Sequence, residues 1–130
     1  MELPKNEETF DFHHVGQDTG NEYAGQFSVL CVLNMAQKHA MELEKTRLMG
    51  NYPTPTPGLE GIATALATLR AKIVKAHNWW TQSSGGLDIM DEDALVMLYN
   101  EVEKAGRLWR EKLKEKGKKA QEALTQQSTQ

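Results

Sequence analysis

The sequence predicts a mainly α, α+β single domain. Three observations carry this: a period-2 aromatic segment near the N-terminus, three later stretches of helical periodicity, and turn-forming residues between them. The chain has 130 residues, a length at which folding buries roughly two-thirds of the unfolded chain's surface around one core. The expected partition is a flexible N-terminus over 1–7, one globular domain over 8–117 and a disordered, Gln- and Thr-rich tail over 118–130.

The hairpin spans 8–33. Phe10, Phe12 and His14 alternate with Asp11, His13 and Val15, the pattern of a half-buried strand. Gln17-Asp18-Thr19-Gly20-Asn21 carries turn chemistry, since Asp and Asn bond nearby backbone and Gly accepts positive φ. A second strand follows over Glu22–Leu33, apolar on both faces from Val29 onward. Because an isolated two-stranded hairpin is marginal in water, it must lie on the helices or pair with another chain's strand.

The first helix is expected over 35–49. Asn34 and Gln37 have capping-box spacing, and Gly50-Asn51 supplies the stop. Its core stripe is thin, formed by Ala36, Ala40 and Leu43 with Met41 and Leu48 to one side. The segment from Tyr52 to Gly58 holds three prolines, which remove donors and fix φ, so it reads as a stiff extended spacer.

The second helix, over 59–76, has the cleanest stripe: Leu59, Ile62, Leu66, Leu69 and Ile73. A Ser- and Gly-rich loop with Trp79-Trp80 follows, and Leu87 and Ile89 are expected to anchor it. The third helix, over 91–117, opens with Asp91-Glu92-Asp93, where the helix dipole favours acids. It continues with Leu95, Leu98, Val102, Ala105 and Trp109.

A net charge of -3 argues against a surface that wraps nucleic acid, because phosphate neutralisation needs a broad basic face. The run from Arg107 to Lys119 is a local basic patch, read first as a solvated helix end. Cys31 is the single cysteine, so no intrachain disulfide forms; its apolar strand marks it as a buried thiol. His13 and His14 point to opposite strand faces and cannot chelate one ion. Neither a Gly-x-Gly-x-x-Gly turn nor a Walker-type loop occurs. Asp91 and Asp93 are read as helix-start acids.

These readings predict no catalytic residue, cofactor or metal. The residues MELPKNEE carry no apolar run, and no stretch nears the ~20 apolar residues of a spanning helix, so neither a secretory signal nor a membrane segment is expected. Trp79 and Trp80 either plug the end of the helix pair or contact a partner, and partner contacts are assigned to them with Tyr52, Phe10, Phe12 and Tyr23, because aromatic side chains dominate protein interfaces.

The segments GQFSVLCVL, AQKHAMELEKTRLMGNY, EGIATALATLRAKIVKAHNWW and GGLDIMDEDALVMLYNEVEKAGRLW, in that order, give the chain a resemblance to small proteins of tailed-bacteriophage structural modules, the tail assembly chaperones above all. The resemblance lies in size and element order over about residues 8–113. It implies a non-enzymatic protein of the infected host's cytoplasm that binds tape-measure or tail-tube proteins during virion assembly. It equally implies a structural protein of the virion, in its tail, connector or capsid surface. Self-association fits both. A small regulatory or inhibitory module binding a host protein fits the same residues.

Overall fold

The computed structural model describes residues 6–50 and 56–128, with side chains through 124. The order is β1 (Glu7–Val15), β2 (Glu22–Leu30), α1 (Met35–Met49), α2 (Pro57–Lys72), β3 (Ile73–Lys75), α3 (Asn78–Thr81) and α4 (Glu92–Ser128). This is the α+β, mainly α class that the sequence predicts. Among the described residues, no helix is long and apolar enough to cross a membrane.

The β1–β2 pairing sets Phe10 opposite Phe27, Phe12 opposite Gly25 and His14 opposite Tyr23. That face meets the helices. The other face carries Thr9, Asp11, His13, Gln26 and Ser28, and Thr9 and Ser28 share a hydroxyl hydrogen bond of 2.9 Å across it. The sheet is therefore one-sided, with a polar face in water.

Strand β2 stops at Leu30, three residues short of the expected end. There the Asn6 side chain replaces a strand: its Oδ1 accepts the Cys31 and Val32 N–H groups at 3.1 and 2.8 Å, and its Nδ2 donates to Val32 O at 2.6 Å. Asn6 and Glu7, expected in the N-terminal segment 1–7, thus bond the end of β2 and open β1. Residues 1–5 of that terminus lie outside the described residues.

The second helix ends at Lys72 rather than 76, and Ile73–Lys75 becomes a third strand, antiparallel to β2 with a register shift at Ser28/Val29. The free edge of β2 offers unpaired backbone groups. Ile73 still packs on the core in the extended conformation, so the edge decides. At the other end α2 starts at Pro57, capped by Thr56, whose hydroxyl accepts the Leu59 N–H at 3.2 Å.

Helix α1 has both bonds of the Asn34–Gln37 capping box, and Gly50 ends it at φ 68°. Its orientation corrects the expected stripe. Ala36, Ala40 and Leu43 are exposed, while Met41, Glu44, Lys45 and Leu48 face inward. The reason is electrostatic as much as apolar: Glu44 pairs with Arg70, and Lys45 with Glu60 at 3.7 Å, both on α2.

Helix α4 runs to Ser128, through most of the expected tail; 129–130 lie outside the described residues. Residues 110–127 hold no proline and are mostly Lys, Glu, Gln and Ala, all good helix formers. The core lies between the inner sheet face, α2 and the first half of α4, with Phe27, Val29, Leu69, Leu98 and Val102 fully buried.

Candidate functional site

Of the aromatic residues assigned to partner contacts, Phe10, Phe12, Tyr23 and Trp79 converge around Phe27. Trp79 lies 5.9 Å from Phe12, 5.1 Å from Tyr23 and 5.4 Å from Phe27 between ring centroids, and Phe10 stacks on Phe27 at 5.9 Å. The single-turn helix α3 holds Trp79 so that its indole N–H donates to Ala24 O at 3.0 Å. Trp80 is buried beneath the loop, where Gly86, at φ 93°, lets the backbone pass close to its ring.

Of the residues assigned to partner contacts, Phe12, Tyr23 and Trp80 are thus buried in the core, and Trp79 is half-buried against it. A hairpin that needs covering is covered by these rings in its own chain. Phe10 is half-buried, and Tyr52 lies outside the described residues. Leu87, expected as an anchor, is exposed, and Ile89 alone packs on the core.

The acids at the start of α4 fasten the hairpin turn to that helix. Asp91 is fully buried. Its Oδ1 accepts the Asp18 and Thr19 N–H groups at 2.9 and 3.0 Å; its Oδ2 accepts the Thr19 and Tyr23 hydroxyls, each at 2.6 Å. The Thr19 hydroxyl, then the Tyr23 hydroxyl and the two backbone bonds, hold the carboxyl down to about 2 against its desolvation. Gly16 leaves the space, since a side chain there would enter the Asp91 carboxylate.

Asp93 accepts from His14 Nε2 and from the Gln17 N–H, and its pKa is lowered, first by His14. Burial and the Asp91 hydrogen bond both raise the Tyr23 phenol, keeping it a donor. The sequence reading as helix-start acids captured the position of Asp91 and Asp93 but not their role.

A second centre is Arg70. It donates to Gly85 O at 2.9 Å and Ser84 O at 3.1 Å, and it pairs with Glu44 of α1. Glu44 is held down to about 2, first by its bidentate partner Arg47 and then by Arg70. One guanidinium thus ties α1, α2 and the glycine loop together. No local pattern in the sequence marks it.

His13 bonds Glu22 at 2.9 Å, and Cys31 is buried with its thiol pKa raised by desolvation. Among the described residues, no three His, Cys, Asp or Glu side chains converge to hold a metal ion.

Exposed apolar side chains are scattered over the surface, Met35, Leu43, Leu87 and Met90 among them, and two places gather them into a continuous feature. A groove of about 540 Å³ opens between α2 and the start of α4. Its floor and walls include Ala65, Leu95 and Tyr99; Ile62 and Val96 stand 41% and 45% exposed; and Glu60 and Glu92 sit on its rim. Ile62, expected in the core stripe of α2, is thereby placed on the surface.

The second place is α4 beyond the body. Every described side chain from Lys114 to Leu124 is exposed. Leu113, Gly117, Ala120 and Leu124 follow one another at spacings of 4, 3 and 4 residues, which keeps them on one side of the helix. The basic run lies around that stripe, with Lys112 and Lys116 on one flank and Arg110 and Lys114 on the other. Compared with protein-family models, curated proteins and solved structures, the chain matches none.

Proposed function

We propose that this protein works by binding other proteins and performs no chemistry of its own, as an assembly factor or structural component of a tailed phage. The observation that carries the binding reading is the pair of uncovered apolar surfaces, the α2–α4 groove and the projecting half of α4. A chain that buries Phe12, Tyr23, Phe27 and Trp80, yet leaves Ile62, Val96 and Leu124 in water, has surface to cover by association.

The groove is poorly suited to catalysis. Its lining is mainly apolar, and its two carboxylates, Glu60 and Glu92, stand on different helices at the rim rather than around a reacting centre. The phage assignment rests on the resemblance in size and element order. It names tape-measure, tail-tube or neighbouring virion proteins as partners, met in the host cytoplasm or the particle.

Co-expression with a tape-measure protein and a tail-tube protein tests the assignment. Wild type should co-purify with one of them, and Ile62→Asp with Val96→Asp should weaken the association while leaving the melting temperature near that of wild type. Separate elution of all components, with no effect of the substitutions, would remove the assignment.

A further inference from the structure

We propose that two copies of this chain form a reciprocal dimer, in which the exposed C-terminal half of α4 from each copy lies in the α2–α4 groove of the other. The inference rests on the protein-binding reading and names a second copy as the partner.

Charge complementarity selects that occupant. Residues 107–130 carry seven Lys and Arg against three Asp and Glu, whereas residues 1–106 carry eight against 15. Each copy is thus a basic helix joined to an acidic body, and copies attract one another head to tail. The match holds locally too. The groove is apolar between two acids, Glu60 and Glu92. The helix presents a stripe of Leu113, Gly117, Ala120 and Leu124 between flanking cations. An amphipathic helix in an apolar groove is an established recognition geometry.

Length and shape agree. From Lys114 to Ser128 the helix projects for about 22 Å at ~1.5 Å per residue, as long as four helical turns. Gly117 and Ala120 are small enough for the backbone to approach the groove closely, and Leu124 is 62% exposed as a projecting anchor. The helix cannot fold back on its own groove, because the groove is formed in part by the start of the same continuous helix. A two-fold exchange satisfies both surfaces of both copies and closes the assembly.

The test uses the full chain, with absolute mass measured by light scattering behind a sizing column at low and high salt. Wild type should give twice the 14.6 kDa chain mass at low salt and dissociate partly at high salt. Glu60→Lys with Glu92→Lys should give a monomer, and so should Lys114→Glu with Lys116→Glu. All four positions are exposed, and the contact that Glu60 makes with Lys45 is a long surface ion pair that contributes little to stability, so each variant should melt within a few degrees of wild type.

Mixing the two variants should restore the dimer, because each tail then meets a groove of opposite charge at both contacts. A monomeric wild type throughout a concentration series at low salt would overturn the proposal, as would a dimer that survives either reversal, which would place the contact elsewhere, such as the open β1 edge. Monomers whose retention on duplex DNA vanishes on lysine reversal would assign the basic helix to nucleic acid instead. Capture of a tail protein by a strictly monomeric chain would remove the dimer and leave the protein-binding reading standing.

Discussion

Tyr23 and Asp91, 68 residues apart in sequence, meet in a buried hydrogen bond of 2.6 Å that joins the second hairpin strand to the start of the long helix. The same carboxylate gathers the turn through Thr19 and Asp18, so one side chain fixes the angle between sheet and helix. Tyr23→Phe removes one of four donors, whereas Asp91→Ala leaves all four without their acceptor. Urea unfolding should therefore show a lower midpoint for Tyr23→Phe and a still lower one for Asp91→Ala. Gly16→Ala should resemble the Asp91 variant, since its methyl would occupy the carboxylate's space. Equal midpoints across the set would show that the turn is held by other contacts.

Acid should loosen this junction, as it should the Glu44–Arg70 contact, where Glu44 is also held at about 2. Asp91 is held at about 2 in the fold, against an ordinary value of 3.8, and Asp93 is lowered as well. The folded state thus favours the ionised carboxylates. Their contribution is complete above the ordinary value and is lost as pH falls from there through about 2. Melting temperatures from pH 6 to 2 should stay level and then decline below about pH 4, and Asp91→Asn should start lower and decline less. A wild-type profile with no such decline would contradict the assignment.

Leu66 and Leu43 offer a matched comparison. Leu66 is 3% exposed on α2 and Leu43 is 59% exposed on α1. Leu66→Ala should cost about 2 to 5 kcal/mol through lost burial and the cavity left behind. Leu43→Ala should stay within about 0.5 kcal/mol of wild type. A large loss at Leu43 in the isolated monomer would mean that α1 is rotated from the orientation described.

The two tryptophans should both affect stability, by different routes. Trp79→Phe keeps an aromatic ring among Phe12, Tyr23 and Phe27 but removes the donor to Ala24 O, a loss of about 1 kcal/mol. Trp80→Ala empties a buried site and should cost about 3 to 5 kcal/mol. Chemical denaturation of the two variants checks both figures, and an unchanged midpoint for Trp80→Ala would return that residue to the surface.

Local chemistry was legible to the residue. The Asn34–Gln37 box, the Gly50 stop, the 17–21 turn and the inward alternation of Phe10, Phe12 and His14 all depend on neighbours a few positions away. What escaped depends on distant partners. Ile73 continues the spacing of Leu66 and Leu69, so periodicity extends the helix, and only the open edge of β2 makes it a strand. Asp91 has a sufficient local explanation as a helix-start acid, which hides its bonds to residues 18, 19 and 23.

The same limit governed the candidate surface. Adjacent tryptophans in a loop suggest exposure, yet the hairpin's aromatic face takes Trp79 and the glycine loop folds over Trp80. The uncovered groove arises where Ile62, one member of a regular stripe, faces Val96 from a helix 34 positions later. No local count identifies which member of a stripe is left outside.

Because the bonds to Asp91 span the chain, order of synthesis matters. The hairpin emerges from the ribosome first, but the residues that cover Phe12 and Phe27, from Trp79 to Val102, follow long after. Until then its aromatic face lacks Trp79 and the α4 side chains that complete its cover, a condition in which nascent strands are prone to aggregate. The domain's first element is thus among the last to be secured, so a translation pause before residue 91 would prolong the exposure, whereas one after residue 102 would leave the sheet already covered.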